Sequence, residues 1–494
     1  MSDLLTKLEY ISIAKNIDPP SSPFIDGKFR RGHGPEMACL NPSNNTEITR
    51  ISTANGQDVD LAVEKAREAF VDGRWSKKIP AERKEILIRL CKLITRHRRE
   101  LAVMESIDSG KPVRDCELID IPEMIDTIKW HAEAIDKIYD QAAPLEDNSL
   151  SIIVREPIGV VVAVLPWNFP LLMLAWKIGP ALAAGCSIIV KPAEQTSLTA
   201  LKVAELALES GLPRGILQIL PGDGPSVGEP LGRHMHVDMV SFTGSTETGR
   251  LFLKYSAESN LKKVVLECGG KNPAIVLDDV ENINSAANHI VTGAFWNMGE
   301  NCSAISRLIV HRSVKKELLN QIKFKLRDWR TGDPLDPKTR LGALIDPHHC
   351  KKVSKYLTEG ALVGGNIEGA FVSPTIYEVL HNDKKNQEEI FGPILSVIEV
   401  DSNDEAIQLA NDTVYGLTAS VFSGNIRKAL RAAKEVRAGT VAINCYGEGS
   451  VSTPFGGYKQ SGFGGRDKGI HAHDQYTELK TIWIDLNDPI NAED

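Results

Sequence analysis

The sequence lacks an apolar run long enough to cross a bilayer. The strongest run, residues 158–165, stops at Pro166, and residues 1–18 contain no continuous apolar segment. We therefore expect neither a membrane span nor a secretion signal. The eight cysteines show no paired spacing, which is typical of reduced thiols and favours a cytoplasmic protein.

Positive charge is scarce relative to negative charge. The net charge is −8 over 494 residues, which argues against a nucleic acid or an anionic membrane as a partner. The basic cluster Arg96-His97-Arg98-Arg99 ends a predicted helix, where basic side chains are favoured without any ligand. We therefore expect no polyanionic partner.

Metal-ligand spacing and flexible linkers are missing too. His348-His349-Cys350 has no partners at zinc-ligand spacing and follows Asp346-Pro347, so we expect a surface turn there and no metal. Gly/Ser-rich or Pro-rich linkers, repeats and low-complexity tracts are absent. Because 494 residues exceed one ordinary core, we expect two or three domains without a long hinge.

The chain does contain alternating predicted helices and strands. A hairpin is predicted at 24–29, and helices are predicted at 59–72, 80–108 and 121–139. From residue 150 onward, apolar β-branched runs without alternation are separated by helical segments; the runs are 158–165, 187–191, 216–220 and 238–242. Such runs predict a parallel, doubly wound α/β sheet that binds nucleotides at its carboxyl edge. A second α/β unit is expected over 275–440.

Two motifs at that edge favour a dinucleotide. Phe242-Thr243-Gly244-Ser245 leads from a strand into a helix, whose N-terminus attracts phosphate; an ordinary strand–helix turn explains it equally well, since it is not a GxGxxG. Lys191 and Glu194 follow another strand and can reach ribose hydroxyls, with a surface ion pair as the alternative. An acid at this position repels a 2′-phosphate, which favours NAD over NADP.

One cysteine is distinguished by its position. A predicted helix over 282–297 stops at Gly299, and Cys302 follows before an apolar strand. A thiol on such a turn, close to backbone N–H groups, is suited to nucleophilic chemistry; a buried cysteine acting as a small hydrophobe is the alternative. Glu267, beside Gly269-Gly270, is a candidate general base.

Taken in order, these motifs resemble those of the NAD(P)-dependent aldehyde dehydrogenases. The matching segments are Pro166-Trp167-Asn168-Phe169-Pro170, Lys191-Pro192-Ala193-Glu194, Phe242-Thr243-Gly244-Ser245, Leu266-Glu267-Cys268-Gly269-Gly270-Lys271, 299–302, Glu389-Ile390-Phe391-Gly392-Pro393 and Pro454-Phe455-Gly456-Gly457. The resemblance implies an α/β aldehyde dehydrogenase fold. Its parts would be a Rossmann-like NAD-binding domain (1–137 and 158–268), a catalytic domain (269–462) and a small β oligomerisation arm (138–157 and 477–494).

The family's oligomers imply a homodimer or homotetramer. The tail 477–486 alternates as a strand and has no obvious partner in the sequence, so we expect it to add to another subunit's sheet.

The resemblance also implies a reaction. Cys302 would attack an aldehyde to form a thiohemiacetal, and Asn168 with the Cys302 N–H would hold the oxyanion. Hydride would pass to the nicotinamide, and Glu267 would activate the water that hydrolyses the resulting thioester. Lys177 and Asp467 match positions linked to proton passage, and no catalytic metal is implied. The cofactor residues would be Leu165, Pro166, Trp167, Lys191, Glu194, Gly224, Phe242, Thr243, Gly244, Ser245, Gly269, Glu389 and Phe391.

Two residues depart from the family pattern. Glu300 stands where many members have Gln, and we expect its carboxylate to point away from the thiol, whose pKa it would otherwise raise. Cys268 replaces a commoner apolar residue and offers a second thiol near the site.

The substrate side is similar to that of one branch of the family. Ser303-Ala304-Ile305-Ser306-Arg307 resembles the amino-aldehyde and betaine-aldehyde branch, and 130–139, 454–462 and 478–483 resemble the bacterial γ-glutamyl-γ-aminobutyraldehyde dehydrogenases of putrescine breakdown. We therefore expect this substrate or another ω-aminoaldehyde. The tunnel would be lined by Phe169, Met173, Trp176, Phe295, Ser303 and Phe455.

Three acids are expected at the tunnel mouth. Asp120, Glu123 and Glu448 would meet an ammonium or guanidinium, with cation–π attraction from Trp176 and Phe455; solvated surface acids are the alternative.

Other functions stay open at this point. A betaine-aldehyde or broad-specificity aliphatic enzyme fits the same motifs. A CoA-acylating semialdehyde dehydrogenase would lack the base at Glu267, and an inactive structural relative would have lost Cys302, Glu267 or Asn168. A cysteine hydrolase needs a histidine partner, and the nearest, His289, lies inside a predicted helix.

Overall fold

The computed structural model describes residues 4–144 and 148–486. The helices are α1 Lys7–Asn16, α2 Gly56–Val71, α3 Pro80–Arg96, α4 Arg98–Ser109, α5 Val113–Asp115, α6 Ile121–Ala134, α7 Pro170–Ala184, α8 Leu198–Glu209, α9 Glu229–Arg233, α10 Thr246–Ala257, α11 Ile283–Phe295, α12 Arg312–Lys325, α13 Pro347–Ser354, α14 Lys384–Gln387, α15 Asn403–Asn411, α16 Ile426–Glu435 and α17 Gly469–Gln475. Short π-helical segments, Cys116–Asp120 and Gly224–Gly228, precede α6 and α9.

The strands are β1 Phe24–Ile25, β2 Lys28–Phe29, β3 Glu36–Leu40, β4 Glu47–Ser52, β5 Gln141–Ala143, β6 Ser149–Pro157, β7 Val160–Val164, β8 Ser187–Lys191, β9 Leu217–Ile219, β10 Met239–Thr243, β11 Lys263–Glu267, β12 Asn272–Val276, β13 Ile305–His311, β14 Ile367–Glu368, β15 Phe371–Val372, β16 Thr375–Glu378, β17 Ile394–Val400, β18 Thr418–Phe422, β19 Thr440–Ile443, β20 Gly462–Phe463 and β21 Thr477–Asp485. The predicted hairpin at 24–29 is confirmed as β1 and β2.

The first large sheet has the order β2-β1-β9-β8-β7-β10-β11-β20. Its five central strands, β9, β8, β7, β10 and β11, run parallel to one another. They are buried, because they are apolar on both faces and are covered by helices. This confirms the predicted parallel sheet. Asn168, Lys191, Thr243 and Glu267 all lie at or just beyond the carboxyl ends of these strands, and this shared edge brings them together.

The second sheet has the order β16-β17-β13-β12-β18-β19 and is also parallel. It is formed by residues 272–443, as the pattern predicted for a second α/β unit. The chain then returns to the first sheet, where Gly462–Phe463 pairs antiparallel with β11. The proposed domain boundaries stay a prediction.

The tail strand β21 has its partner within the same chain. It pairs antiparallel with β6 along its whole length, from Thr477 opposite Pro157 to Asp485 opposite Ser149. The expectation that the tail has no partner in its own chain is therefore wrong. The sheet order β21-β6-β5 leaves β21 at an edge, and parts of the predicted arm (145–147 and 487–494) lie outside the described residues.

Two local predictions are corrected. The helix predicted over 80–108 is two helices that meet at His97, whose ψ of 11° interrupts the helix, so the basic cluster lies at a junction. His348-His349-Cys350 does not form a surface turn. It belongs to α13, which Asp346 caps by accepting from the His349 N–H (2.7 Å), and His349 and Cys350 are buried.

Neither a metal centre nor a membrane helix is found among the described residues. No group of His, Cys, Asp and Glu in 4–144 and 148–486 is arranged to hold an ion. Within the same ranges, no helix is both long and apolar enough to span a membrane.

Candidate active site

A strained turn presents Cys302. After α11 ends at Phe295, three consecutive residues have left-handed backbones: Asn297 (φ 53°), Met298 (φ 57°) and Gly299 (φ 68°). The left-handed glycine predicted at 299 is thus confirmed. A Cβ on Gly299 would lie 2.4 Å from the Gly392 carbonyl oxygen, so the turn also needs glycine for close approach.

Asn272 fixes the loop that follows this turn. Its buried Nδ2 donates to the carbonyl oxygens of Cys302 (2.7 Å) and Ala304 (3.0 Å), while its Oδ1 accepts from the Thr418 N–H (3.0 Å). One amide therefore ties the nucleophile's backbone to β18. Sequence reasoning missed this role, although Asn272 directly follows the quoted glycine motif.

Asn168 lies against the same loop. Its Nδ2 donates to the Glu300 carbonyl oxygen (3.0 Å), and Asn297 donates to the Asn168 carbonyl oxygen (3.1 Å). Asn168, Glu267 and Cys302 line one cleft of about 290 Å³. The structure thus brings the three predicted catalytic residues together from different parts of the chain.

The thiol of Cys302 is protonated at neutral pH. Desolvation raises the pKa of Cys302 well above its usual value, and the negative charges of Glu448, Glu389 and Glu267 raise it further, in that order. A nearby base must therefore take the proton when the thiol attacks.

Glu267 is suited to act as that base and as the base for water. Both of its carboxylate oxygens are buried and have no hydrogen-bond partner among the described residues. Burial, and then the charge of Asp467, raise the pKa of Glu267 well above its usual value, while Lys177 and Arg466 oppose the rise. A carboxyl group with a raised pKa binds protons more strongly, as a general base must.

A buried ion pair lies behind Glu267. Lys177 Nζ is 2.7 Å from Asp467 Oδ2, and both side chains are fully buried. Gln475 donates to the other Asp467 oxygen (3.2 Å). Lys177 and Asp467 were predicted; Gln475 and Arg466 were not, because no local pattern distinguishes them from surface residues.

The cofactor side of the cleft holds most of the predicted residues. Pro166, Trp167, Thr243, Gly244, Ser245, Gly269, Glu389 and Phe391 line it, together with the unpredicted Gln195, His348, His349 and Lys352. Glu389 accepts from the Gly270 N–H (2.9 Å), and Ser245 caps α10. The buried hydroxyl of Thr243 has no partner among the described residues, so it is free to bind a ligand.

Other predicted cofactor residues lie around this cleft. Lys191 Nζ is 2.9 Å from Glu194 Oε1, and Gly224 begins the π-helical segment that passes the Lys191 side chain. Leu165 and Phe242 are buried in the apolar cores on the two faces of the first sheet, and therefore support the cleft from behind.

His349 positions Phe391. Its Nε2 bonds the Phe391 carbonyl oxygen (2.7 Å), and burial lowers the pKa of His349 to about 4, so the ring is neutral and donates there. Phe391 has φ 60°, and its ring meets Trp167 edge to face at 5.2 Å. This arrangement was missed because His349 was assigned to a turn.

The two departures from the family pattern differ in effect. The Glu300 carboxylate accepts from the Ile345 N–H (3.1 Å) and lies 3.5 Å from His349 Nε2, so it points away from the thiol, as expected. Cys268 does line the cleft, but burial raises the pKa of Cys268 to about 12. A thiol with that pKa is a poor nucleophile at neutral pH.

The predicted substrate residues need one replacement. Phe169, Met173, Trp176 and Phe455 belong to one buried cluster against which Cys302 packs, and Trp176 meets Phe455 at 5.2 Å. Phe295 belongs instead to the core of the second sheet, where it contacts Trp329 at 6.3 Å. Trp296 has left the helix (ψ 142°), so its ring turns to the other side and packs on Phe169 at 5.2 Å. Trp296, not Phe295, therefore faces the substrate side.

The acids predicted at the tunnel mouth are not free. Asp120 is fully buried and pairs with Lys111 Nζ at 2.5 Å, so it is neither a surface acid nor an open site for a substrate's cation. Glu123 and Glu448 both face Lys468 Nζ, at 3.4 and 3.8 Å.

Glu448 also bonds the Ser303 hydroxyl, next to the nucleophile. Tyr446 joins this group through Ser303 (3.1 Å) and Asn301 (2.8 Å), a contact that sequence reasoning missed.

Comparisons with known proteins agree with this geometry. An aminoacetaldehyde dehydrogenase of Pseudomonas aeruginosa is 60% identical over 99% of this chain and 100% of its own length. The NADP/NAD-dependent aldehyde dehydrogenase PuuC of Escherichia coli is 43% identical over 94% of this chain and 95% of its own. The crystal structure of a γ-glutamyl-γ-aminobutyraldehyde dehydrogenase from Burkholderia cenocepacia superposes with a TM-score of 0.96 at 43% identity, covering 98% of this chain and 100% of that one.

The family model described as "Aldehyde dehydrogenase family" matches residues 29–482. This match spans the second large sheet, most of the first, and the cleft with Cys302, Glu267 and Asn168. The chain therefore belongs to the aldehyde dehydrogenase family.

Proposed function

We propose that this protein oxidises an aminoaldehyde to the corresponding amino acid, with NAD as the hydride acceptor. The observation that carries the substrate class is the carboxylate of Glu448, which bonds the hydroxyl of Ser303, the residue after the nucleophile. A carboxylate held beside the reacting thiol is placed to attract a cationic amine. The 60% identical relative is named for an aldehyde of this class.

The chain's own residues perform the covalent steps. The Cys302 sulfur adds to the carbonyl carbon after Glu267 takes the thiol proton, and the new oxyanion accepts from the Asn168 amide and the Cys302 N–H. Loss of one such donor typically costs about 3 kcal/mol of transition-state stabilisation. When bound, NAD would supply the acceptor for the hydride of the thiohemiacetal carbon. Glu267 gives up the thiol proton to solvent before hydrolysis, so that its carboxylate can take a proton from the water that attacks the thioester. Cleavage of the C–S bond then releases the acid, and the Cys302 thiolate takes that proton back from Glu267 to regenerate the thiol.

The residues present fit NAD. Ser245 and the first turn of α10 offer N–H groups to a phosphate. We assign Lys191 and Glu194 to the adenine ribose and Glu389 to the nicotinamide ribose, as the family resemblance implies; the contact between Lys191 and Glu194 supports the first assignment. An acid at 194 disfavours the 2′-phosphate of NADP, although the PuuC relative is named for both cofactors.

The test of this proposal uses charge-matched aldehydes. The protein, supplied with NAD and no CoA, is expected to form NADH and acid faster from aminoacetaldehyde than from propanal, which is similar in shape but uncharged. NADH formation only after CoA is added would instead show an acylating enzyme, and equal rates with both aldehydes would reject the aminoaldehyde.

Replacing Glu448 by Gln removes the negative charge and nearly keeps the shape of the side chain, so it tests the role of the charge. In Glu448→Gln the KM for aminoacetaldehyde is expected to rise by roughly 10- to 100-fold, because a charge-assisted contact is worth about 1.5–3 kcal/mol. The KM for propanal should change much less. Glu47→Gln, an exposed acid paired with Arg50, is the matched control. Equal changes for both aldehydes would remove this role from Glu448.

We further infer a homo-oligomer and a cytoplasmic location. The oligomer is supported by β21, which has an open edge and carries exposed apolar side chains, including Leu479 and Trp483. The location is supported by the eight cysteines, all of which carry free thiols.

A further inference from the structure

Lys468 places its ammonium where the sequence predicted the cation of a substrate. The side chain is 3% exposed. Its Nζ lies 4.4 Å from the ring centroid of Trp176 and 5.6 Å from that of Phe455. It is also 3.4 Å from Glu123 and 3.8 Å from Glu448. The five residues Trp176, Phe455, Glu123, Glu448 and Lys468 are called the cation box below.

The backbone holds Lys468 in this position. Its φ of 63° is unfavourable for a residue with a Cβ. The preceding residue, Asp467, forms a two-bond bridge with Phe455 (2.7 and 2.8 Å), and the following Gly469 N–H bonds the Val451 carbonyl oxygen (2.8 Å). Because both neighbours are anchored, the backbone fixes the point from which the Lys468 side chain enters the cation box.

The cation box contains more negative than positive charge. Two carboxylates face a single ammonium, so one negative charge is not neutralised within it. Glu448 divides its oxygens: Oε2 faces Lys468, and Oε1 bonds the hydroxyl of Ser303 beside Cys302. The oxygen that no lysine approaches is therefore the one on the side of the nucleophile.

We propose that Lys468 restricts the amine-bearing substrates of this protein to short ones, because its ammonium fills the position that the cation of a longer substrate would need. The inference rests on the proposed function and adds the chain length to it. An aldehyde with its amine on the adjacent carbon reaches only the Ser303 side of Glu448. A longer one brings a second cation against Lys468, where like charges repel.

Two pairs of aldehydes test this proposal. Aminoacetaldehyde is compared with propanal, and γ-trimethylammoniobutyraldehyde with its carbon isostere, in which a tert-butyl group replaces the trimethylammonium group. Each pair differs in charge at nearly constant shape, and the quaternary ammonium cannot condense with its own aldehyde. For each pair the ratio of kcat/KM, charged over neutral, is measured with NAD in the natural protein, Lys468→Met and Lys468→Arg.

The natural protein is expected to give a ratio above one for the short pair and below one for the long pair. Lys468→Met should raise the long-pair ratio by more than about tenfold and change the short-pair ratio less than about threefold, because it removes the repelling charge and keeps the length. Lys468→Arg should keep the long-pair ratio low. Lys468→Gln carries the same expectation as Lys468→Met and replaces it if that variant fails to fold.

The experiment distinguishes a failure of the role of Lys468 from a failure of the proposed function. A long-pair ratio that does not move in Lys468→Met, or that is already above one in the natural protein, overturns the role of Lys468. A short-pair ratio at or below one in the natural protein rejects the aminoaldehyde itself, whatever the lysine does.

Discussion

At the scale of single residues, the site combines a half-buried thiol with a buried base. Cys302 and Glu267 line one cleft, and in both cases loss of hydration is the first cause of the raised pKa. In the proposed mechanism, Cys302 keeps its proton until the ionised carboxylate of Glu267 takes it, so the proton moves between neighbours instead of into solvent. The surrounding acids then tune how readily the thiolate forms.

Glu448 makes the largest charge contribution to that tuning. Because its negative charge raises the pKa of Cys302, Glu448→Gln should lower that pKa, so that the thiolate forms at lower pH. We expect alkylation by iodoacetamide to begin at a lower pH than in the natural protein. Glu389→Gln should shift the profile in the same direction by less. An unchanged alkylation profile in Glu448→Gln would contradict the placement of its charge.

Glu267 should act in both halves of the reaction, because it takes the proton of the thiol and later that of water. In Glu267→Gln the turnover is expected to fall by about 10²–10⁴, the usual range for loss of a general base. Rapid mixing of this variant should show slow NADH formation without a burst. A burst of NADH with an accumulated thioester would instead show that another base takes the thiol proton. Activity close to that of the natural protein would exclude Glu267 as the base.

At the scale of elements, the turn after α11 decides where the thiol lies. Its three left-handed residues reverse the chain between helix and strand, and Asn272 ties the loop to β18. The same break in the helix sends Phe295 into one core and Trp296 towards the other. The position of Cys302 and the direction of the Trp296 ring therefore both depend on the backbone of this one turn.

Gly299 allows this geometry to be tested. Gly299→Ala adds the cost of a left-handed alanine, about 1–2 kcal/mol, and a clash 2.4 Å from the Gly392 carbonyl oxygen. Gly360→Ala is the matched control, because its φ is 87° and no heavy atom lies within 4 Å of the added carbon. We expect a lower Tm in Gly299→Ala than in Gly360→Ala. We also expect a higher KM for NAD, because the clash displaces Gly392, which directly follows Phe391 on the cofactor side of the cleft. Equal effects would show that only the left-handed backbone matters.

At the scale of the whole molecule, two largely parallel sheets meet at the cleft, and a separate three-stranded sheet exposes apolar side chains. Trp483 is 63% exposed on β21, which is costly for an isolated chain unless a partner covers it. Trp483→Asp should therefore shift the sedimentation coefficient towards that of a monomer. Phe324→Asp, at a position on α12 that is 61% exposed, is the control. An unchanged assembly in Trp483→Asp would remove β21 from the interface.

Much of the fold followed from local patterns. The unbroken apolar runs predicted the parallel strands of the first sheet, and Gly299 has the predicted left-handed backbone. The helix predicted to reach residue 297 is shorter and ends at Phe295, because Asn297 is already left-handed. The errors were local as well: one long helix was predicted where His97 interrupts two, and the run 348–350 was taken for a surface turn. In both cases a contact from elsewhere in the fold, or a single backbone angle, decided the outcome.

The sequence by itself determined the order of the elements and predicted roles for Cys302, Glu267 and Asn168, because these predictions depend on short motifs whose residues are neighbours in the chain. The tertiary structure alone decided that Asn272 holds the nucleophile's loop, that Trp296 replaces Phe295, and that Lys468 fills the cation box. Each of these contacts joins residues far apart in sequence, or depends on the rotation of a helix end. Neither hydrophobic periodicity nor turn chemistry fixes such contacts, so they follow only from the packed chain.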